Sequence, residues 1–452
     1  MIAAALGFVL AQIAAPDMGP AAAAGLEGRP APGTVSPLQP RIDAAPEGSV
    51  VEIGPGTYRG DLYVGHRVRL VGRGRPRLQG SGTGSVLRVR ASGTAIEGLD
   101  IDGGGGGDLG RDSSGIHVAA RNVVIRDCRI TNAIFGIYLR EADGAVVERS
   151  QIRGIPGKDP GEKGSGIHVW NTDGFRLTDN TIVDVRDGFY IQSSPHGTIT
   201  GNTARDLRFG LHYMFSDDNT FEGNTFENGA AGTALMYSKR IVFRGNRFLH
   251  NRGFASVGLL FKSCDDVTAE NNLIADNARG IFVEGSYRCL FRDNVVAESD
   301  IAIVLYDSCG DVVFRGNSFV ANLTPLTLVG RRTDTLFDGN YWSGNDEPDL
   351  DGNGRSDRPY RLTSVFDHFR GNLTAADLFT AGFAAAALGA AERAFPVLEP
   401  VTPEDRTPLA HPPSLPGVPR APVPPRAIHV AGLLASAAVA GLGTVGLWRG
   451  RR

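Results

Sequence analysis

Sulfur is scarce in this chain, which has four Cys and four Met among 452 residues. There is no C-x-x-C pair and no zinc-type spacing, so the usual signatures of a dithiol or zinc site are missing. Neither charge sign dominates, because 46 basic and 49 acidic residues leave a net charge of −3. That excludes a nucleic-acid binder driven by phosphate neutralisation. No Ser/His/Asp order, Gly-rich phosphate loop or nucleotide motif stands out. Gly and Pro are plentiful, at 60 and 26, but Gly follows no strict third-residue period. Collagen is therefore excluded, and a turn-dense solenoid with Pro-rich linkers is expected.

What the chain does have is a repeat. Asn180, Asn202, Asn224, Asn246, Asn272, Asn294, Asn317 and Asn340 recur every 22 to 26 residues in the frame apolar-x-x-Asn-x-apolar. Cys128 and Ser150 fill the same slot further back. A fixed period in the range of about 20–50 residues marks a repeat architecture. Between the slots lies Gly-apolar-x-apolar, as in Gly166-Ile167-His168-Val169 and Gly210-Leu211-His212-Tyr213. This period-2 alternation belongs to a strand with one buried face. Twenty-two residues hold two or three short strands and tight turns. The reading is all-β: a right-handed parallel β-helix over residues 45–345, its coils stacked about 4.8 Å apart. A leucine-rich repeat would need Leu-x-x-Leu-x-Leu at every period, and no such recurrence is present. Asn at the turn would tolerate a left-handed backbone, and its stacked side chains would bond along the axis.

The flanks read differently. Residues 1–24 form an apolar, signal-like segment without a basic start, and 25–44 a Pro/Ala/Gly-rich linker. Residues 346–394 combine an acidic loop with a capping region, and 395–426 form a Pro-rich tether. Ala427 to Trp448 carries no formal charge and is followed by Arg449, Arg451 and Arg452. That length suits a transmembrane helix with its basic end in the cytoplasm, which puts the solenoid outside. Among the thiols, Cys264 and Cys309 fall two coils apart, too far for a bridge. A Cys264–Cys289 disulfide is possible, and Cys128 reads as a core thiol.

The repeat frame turns scattered residues into columns. One outward column reads His117, Tyr138, His168, Tyr190, His212, Ala234, and the next reads Arg140, Trp170, Gln192, Met214, Met236. His212, Met214 and Met236 thus form an outward triangle, with His168 two coils away. Imidazole with thioether suits copper, above all Cu(I). A partner-binding or sugar-stacking surface would use the same residues. The loop Asp349, Asp351, Asn353, Asp357, with Gly354, matches the first part of an EF-hand calcium loop, though position 12 is Tyr360. Polysaccharide-active β-helices, such as epimerases and lyases, use clustered carboxylates and bases on an outer face. These columns offer no such carboxylate pair. Asp217-Asp218 and Asp265-Asp266 read as turn formers.

Three blocks carry a resemblance. They are Phe209-Gly-Leu-His-Tyr-Met-Phe-Ser-Asp-Asp-Asn219, Ala231-Gly-Thr-Ala-Leu-Met-Tyr-Ser-Lys239, and Asn340-Tyr-Trp-Ser343 followed by Asp349-x-Asp-Gly-x-Gly and Pro359-Tyr360. Over roughly residues 45–370 the chain resembles the NosD family, periplasmic maturation proteins of nitrous oxide reductase built on carbohydrate-binding-like β-helix repeats. The resemblance implies a non-enzymatic role in assembling that reductase's copper–sulfide centre. It also implies work beside an ABC transporter ATPase and permease, and exchange with a copper chaperone. His212, Met214 and Met236 lie in the two more specific blocks.

Overall fold

The computed structural model describes residues 29–414, apart from 32, 108, 254, 255, 331 and 363–402. The signal-like segment 1–24 and the expected membrane span 427–448 lie outside the described residues. Among those described, no helix is long and apolar enough to cross a membrane.

One coil shows how the repeat folds. Thr220–Glu222, Thr225–Glu227 and Ala231–Met236 are its three strands. Each pairs in parallel with the strand one coil earlier and one coil later. The result is a right-handed parallel β-helix of about 13 turns with three parallel sheets along its axis. Inward side chains stack rung on rung: Phe221 lies 4.6 Å from Phe243, and Phe319 4.1 Å from Trp342, with rings nearly parallel. All four are buried in one continuous core.

The Asn slot lies between the first and second sheets. Asn202 Nδ2 donates to Asn224 Oδ1 at 2.9 Å, and Asn224 Nδ2 to Asn246 Oδ1 at 2.9 Å. The same Oδ1 also takes the backbone N–H of the previous Asn, as in Asn202 N to Asn224 Oδ1 at 3.0 Å. Cys128 and Ser150 stand in this line, linked by Cys128 N to Ser150 Oγ and Ser150 N to Asn180 Oδ1. The left-handed residue is not the Asn but its predecessor: Asp179, Gly201, Gly223 and Gly245 have φ of 53, 67, 63 and 62°. The Asn is kept for its amide and not for its backbone freedom.

Glycine has a separate role where the third-sheet strands from Ser114–Val118 to Arg279–Glu284 begin. A Cβ on Gly136 would fall 2.4 Å from the carbonyl oxygen of Gly166 and 2.5 Å from Ile152. Gly166, Gly188, Gly210 and Gly232 meet the same kind of obstruction. At these rungs the coils approach too closely for a side chain; the last two strands place Ala302 and Pro325 in the slot.

Both ends are closed by segments read from sequence as linkers. Within 25–44, Gln39–Asp43 is a short helix, and Leu38 and Ile42 cover the first coil. Gln39 exchanges two hydrogen bonds of 2.8 Å with the backbone of Tyr63, as a further strand would. At the other end, residues 403–414 of the expected tether return to the solenoid. Glu404–Asp405 extends the first sheet beside Phe337 and pairs with Tyr360–Arg361.

The thiols carry no bridge. All four Cys are free and buried, so the Cys264–Cys289 disulfide does not form. Cys289 instead turns its thiol to the carbonyl oxygen of Cys264 at 3.6 Å. Burial pushes Cys128, Cys264 and Cys289 up to about 12.

Candidate functional site

The third sheet carries both expected columns in the expected register. His117, Tyr138, His168, Tyr190, His212 and Ala234 are successive strand partners, and so are Arg140, Trp170, Gln192, Met214 and Met236. The first column is a stack of rings. His168 lies between Tyr138 at 4.3 Å and Tyr190 at 4.4 Å, nearly parallel to both. The stack breaks at His212, which meets Tyr190 edge-on at 4.8 Å and Phe209 at 5.3 Å. Burial pushes the imidazoles of His117 and His168 down to about 3.

These side chains point away from the core, yet the patch is not open as the sequence suggested. His212, Met214 and Met236 are only 2, 8 and 3% exposed. Both Met belong to a second hydrophobic cluster with Tyr190, Phe209, Leu260 and Phe282. Alternation decides which way a side chain points; it does not decide whether that face is covered. His168 is partly exposed.

Three charged residues absent from the sequence reading sit beside His212. Asp187 is fully buried and is gripped by Arg208 through Nε at 2.9 Å and Nη2 at 2.7 Å. Arg186 Nε lies 3.4 Å away, and His212 Nδ1 lies 3.4 Å from Asp187 Oδ2. Burial alone would raise this carboxyl, but the His212 and Arg208 contacts hold it well below the usual range. The opposite ring nitrogen, His212 Nε2, is buried and has no hydrogen-bond partner among the described residues. A signal was present in the sequence: Asp187 shares its register slot with Ser165 and Phe209. A charge among small and apolar residues marks a deliberate partner.

Phe215 and Tyr237 were also missed. They follow Met214 and Met236, stack at 5.2 Å, and stand 53 and 48% exposed. Both have positive φ, 51 and 53°, where bulky side chains are strained. The neighbouring turns place Asn171 and Ser193 there.

The acidic loop is a turn held by its own backbone. Asp349 accepts from Asn353 N and Gly354 N at 3.1 and 2.8 Å, and Asp351 from Asn353 N at 3.1 Å. Asn353 Oδ1 takes Arg355 N, and Asp357 Oδ2 takes Leu350 N. These four side chains face the loop's N–H groups, so the calcium expected from their spacing is not supported. Among the described residues no three His, Cys, Asp or Glu side chains converge to hold a metal. The soft set of His212 with two Met is of another kind. His212 Nε2 is orphaned, and Met214 and Met236 share its outer sheet face, a donor chemistry that fits a soft cation. Asp217-Asp218 and Asp265-Asp266 do sit at turns, where Arg240 and Arg288 pair with them.

The fold and this face define a class: a parallel β-helix solenoid with a ring-and-thioether column on one outer sheet. Residues 149–352 match the family described as periplasmic copper-binding protein (NosD). A probable ABC transporter binding protein NosD of Stutzerimonas stutzeri is 30% identical over 374 residues, covering 78% of this chain and 85% of that protein. Its Pseudomonas aeruginosa counterpart is 29% identical over 135 residues, 29% of this chain and 31% of that protein. The chain belongs to the NosD family. Among solved structures, a PL6 alginate lyase complexed with a trisaccharide superposes with a TM-score of 0.51 at 13% identity. That match covers 68% of this chain and 82% of the lyase, and it is a likeness of fold alone.

Proposed function

We propose that this chain is a periplasmic accessory protein that receives Cu(I) for the copper–sulfide centre of nitrous oxide reductase. The observation that carries this reading is the soft-donor set of His212, Met214 and Met236 on adjacent rungs of the third sheet. It lies within the part of the chain that matches the copper-binding family. Copper is cargo here, taken from a copper chaperone and passed towards the reductase, with an ABC transporter ATPase and permease as partners. The relatives' names, which describe ABC transporter binding, support that last element. Residues 427–448 would anchor the protein to the inner membrane, and truncation before Ala427 would release it into the soluble fraction. Thioether ligation is weak enough to suit transfer over storage.

The runner-up is a carbohydrate-active epimerase or lyase. The carboxylate beside the ring column argues against it, because Asp187 is locked by Arg208 and lacks freedom for proton transfer. The test is Cu(I) titration of the full chain against Met214→Leu/Met236→Leu. That pair conserves volume, so the fold should persist. Loss of at least tenfold in affinity, with reductase made but deficient in its copper–sulfide centre, is expected. Unchanged affinity together with full maturation would refute the reading.

A further inference from the structure

We infer that Asp187 is a positioning residue: it fixes the proton of His212 on Nδ1 and so keeps an Nε2 lone pair ready for a soft cation. The inference rests on the proposed copper role of His212, Met214 and Met236. Arg208 spans both carboxylate oxygens at 2.9 and 2.7 Å, and its guanidinium lies 4.4 Å over the Phe209 ring. An ionised carboxylate can only accept. The ring nitrogen facing its Oδ2 must therefore be the protonated one, and that nitrogen is Nδ1. In a neutral imidazole the other nitrogen then carries the lone pair. Tyr190 and Phe209, both edge-on, fix the ring plane.

The same column supplies an internal comparison. In His117 and His168 the buried atom without a partner is Nδ1, whereas in His212 it is Nε2. Only at His212 does a carboxylate from the coil beneath reach the ring. Leaving a buried acceptor unsatisfied forfeits its hydration with nothing in return. Packing the cluster does not require that orphan, since a Phe would fill the space without it. A metal ion would relieve it, and carboxylate–histidine–metal relays orient and strengthen imidazole ligands in this way.

The experiment is ¹⁵N NMR of His212 in the copper-free full chain, combined with Cu(I) titration and copper-edge X-ray absorption. The wild type should show the proton on Nδ1; a proton on Nε2 overturns the inference without any variant. In Asp187→Asn, Arg208 retains the amide oxygen and the NH₂ turns to Nδ1, so the proton should move to Nε2. Cu(I) affinity should fall at least tenfold, and the nitrogen scatterer should vanish while sulfur remains. Asp187→Asn with unchanged tautomer, or with a switched tautomer and unchanged Cu(I) affinity, overturns it. Failure of the copper reading looks different: Met214→Leu/Met236→Leu would keep wild-type affinity whatever the tautomer of His212.

Discussion

Asp405 Oδ2 accepts the side-chain N–H of Asn340 at 3.0 Å across 65 residues of sequence. It also takes Asn340 N at 2.9 Å and Trp342 Nε1 at 3.1 Å, while its Oδ1 takes Gly339 N at 3.1 Å. From Asn180 to Asn317 each rung carries an amide, which both donates and accepts. The last rung has donors to satisfy and nothing beyond it to donate to, so a carboxylate fits. Asp405→Ala would strand four buried donors and should cost about 3–5 kcal/mol. Asp405→Asn should cost less, about 1–2 kcal/mol, because one oxygen remains to accept. Urea midpoints at constant slope measure both; equal, small shifts would contradict the capping role.

The core prediction concerns Phe221, which is fully buried and stacked on Phe243. Phe221→Asp places a carboxylate among apolar rings and should destabilise by about 3–5 kcal/mol. Denaturant melts test it, and a shift below 1 kcal/mol would contradict the packing.

Acid should weaken the fold through His117. Its folded pKa is pushed from 6.5 down to about 3 by burial, with Arg90, Arg140 and Arg88 adding to the effect. The unfolded chain takes up the proton first. Stability is therefore complete above about pH 6.5 and is lost as pH falls towards 3, at about 1.4 kcal/mol per pH step. His117→Phe should remove this part of the slope. Identical pH profiles for variant and wild type, from pH 7 to 4, would refute it.

Phe215 and Tyr237 occupy positive φ, which Asn tolerates far better. Phe215→Asn and Tyr237→Asn should each stabilise by about 0.5–1 kcal/mol, less the loss of their mutual stacking. A rise in melting temperature checks this. A fall in both variants would show that the stacked pair outweighs the backbone strain.

Periodicity made the solenoid legible. The Asn intervals located the ladder, and the Gly-apolar-x-apolar frame put His212, Met214 and Met236 into register. Coverage was not legible, because alternation reports direction only. The burial of His212 and Met236 and the Asp187–Arg208 pair depend on neighbours one coil away. The two end caps escaped notice for a related reason. Gln39 and Asp405 each act through a single side chain in a segment whose composition reads as linker.

One corner of the solenoid takes the longest excursions. Extra residues enter at 103–113, 154–164 and 250–256, each between a second-sheet strand and the third-sheet strand that follows. The largest additions thus fall where the chain turns onto the ring column; the other corners change by a residue or two, as between Gly72 and Arg77 or between Tyr306 and Val313. Leu109 and Ile155, from two of these excursions, pack against Phe135 and Tyr138. The rim of the third sheet can therefore be remodelled, lengthened or trimmed, and access to the imidazoles retuned, without disturbing a single rung.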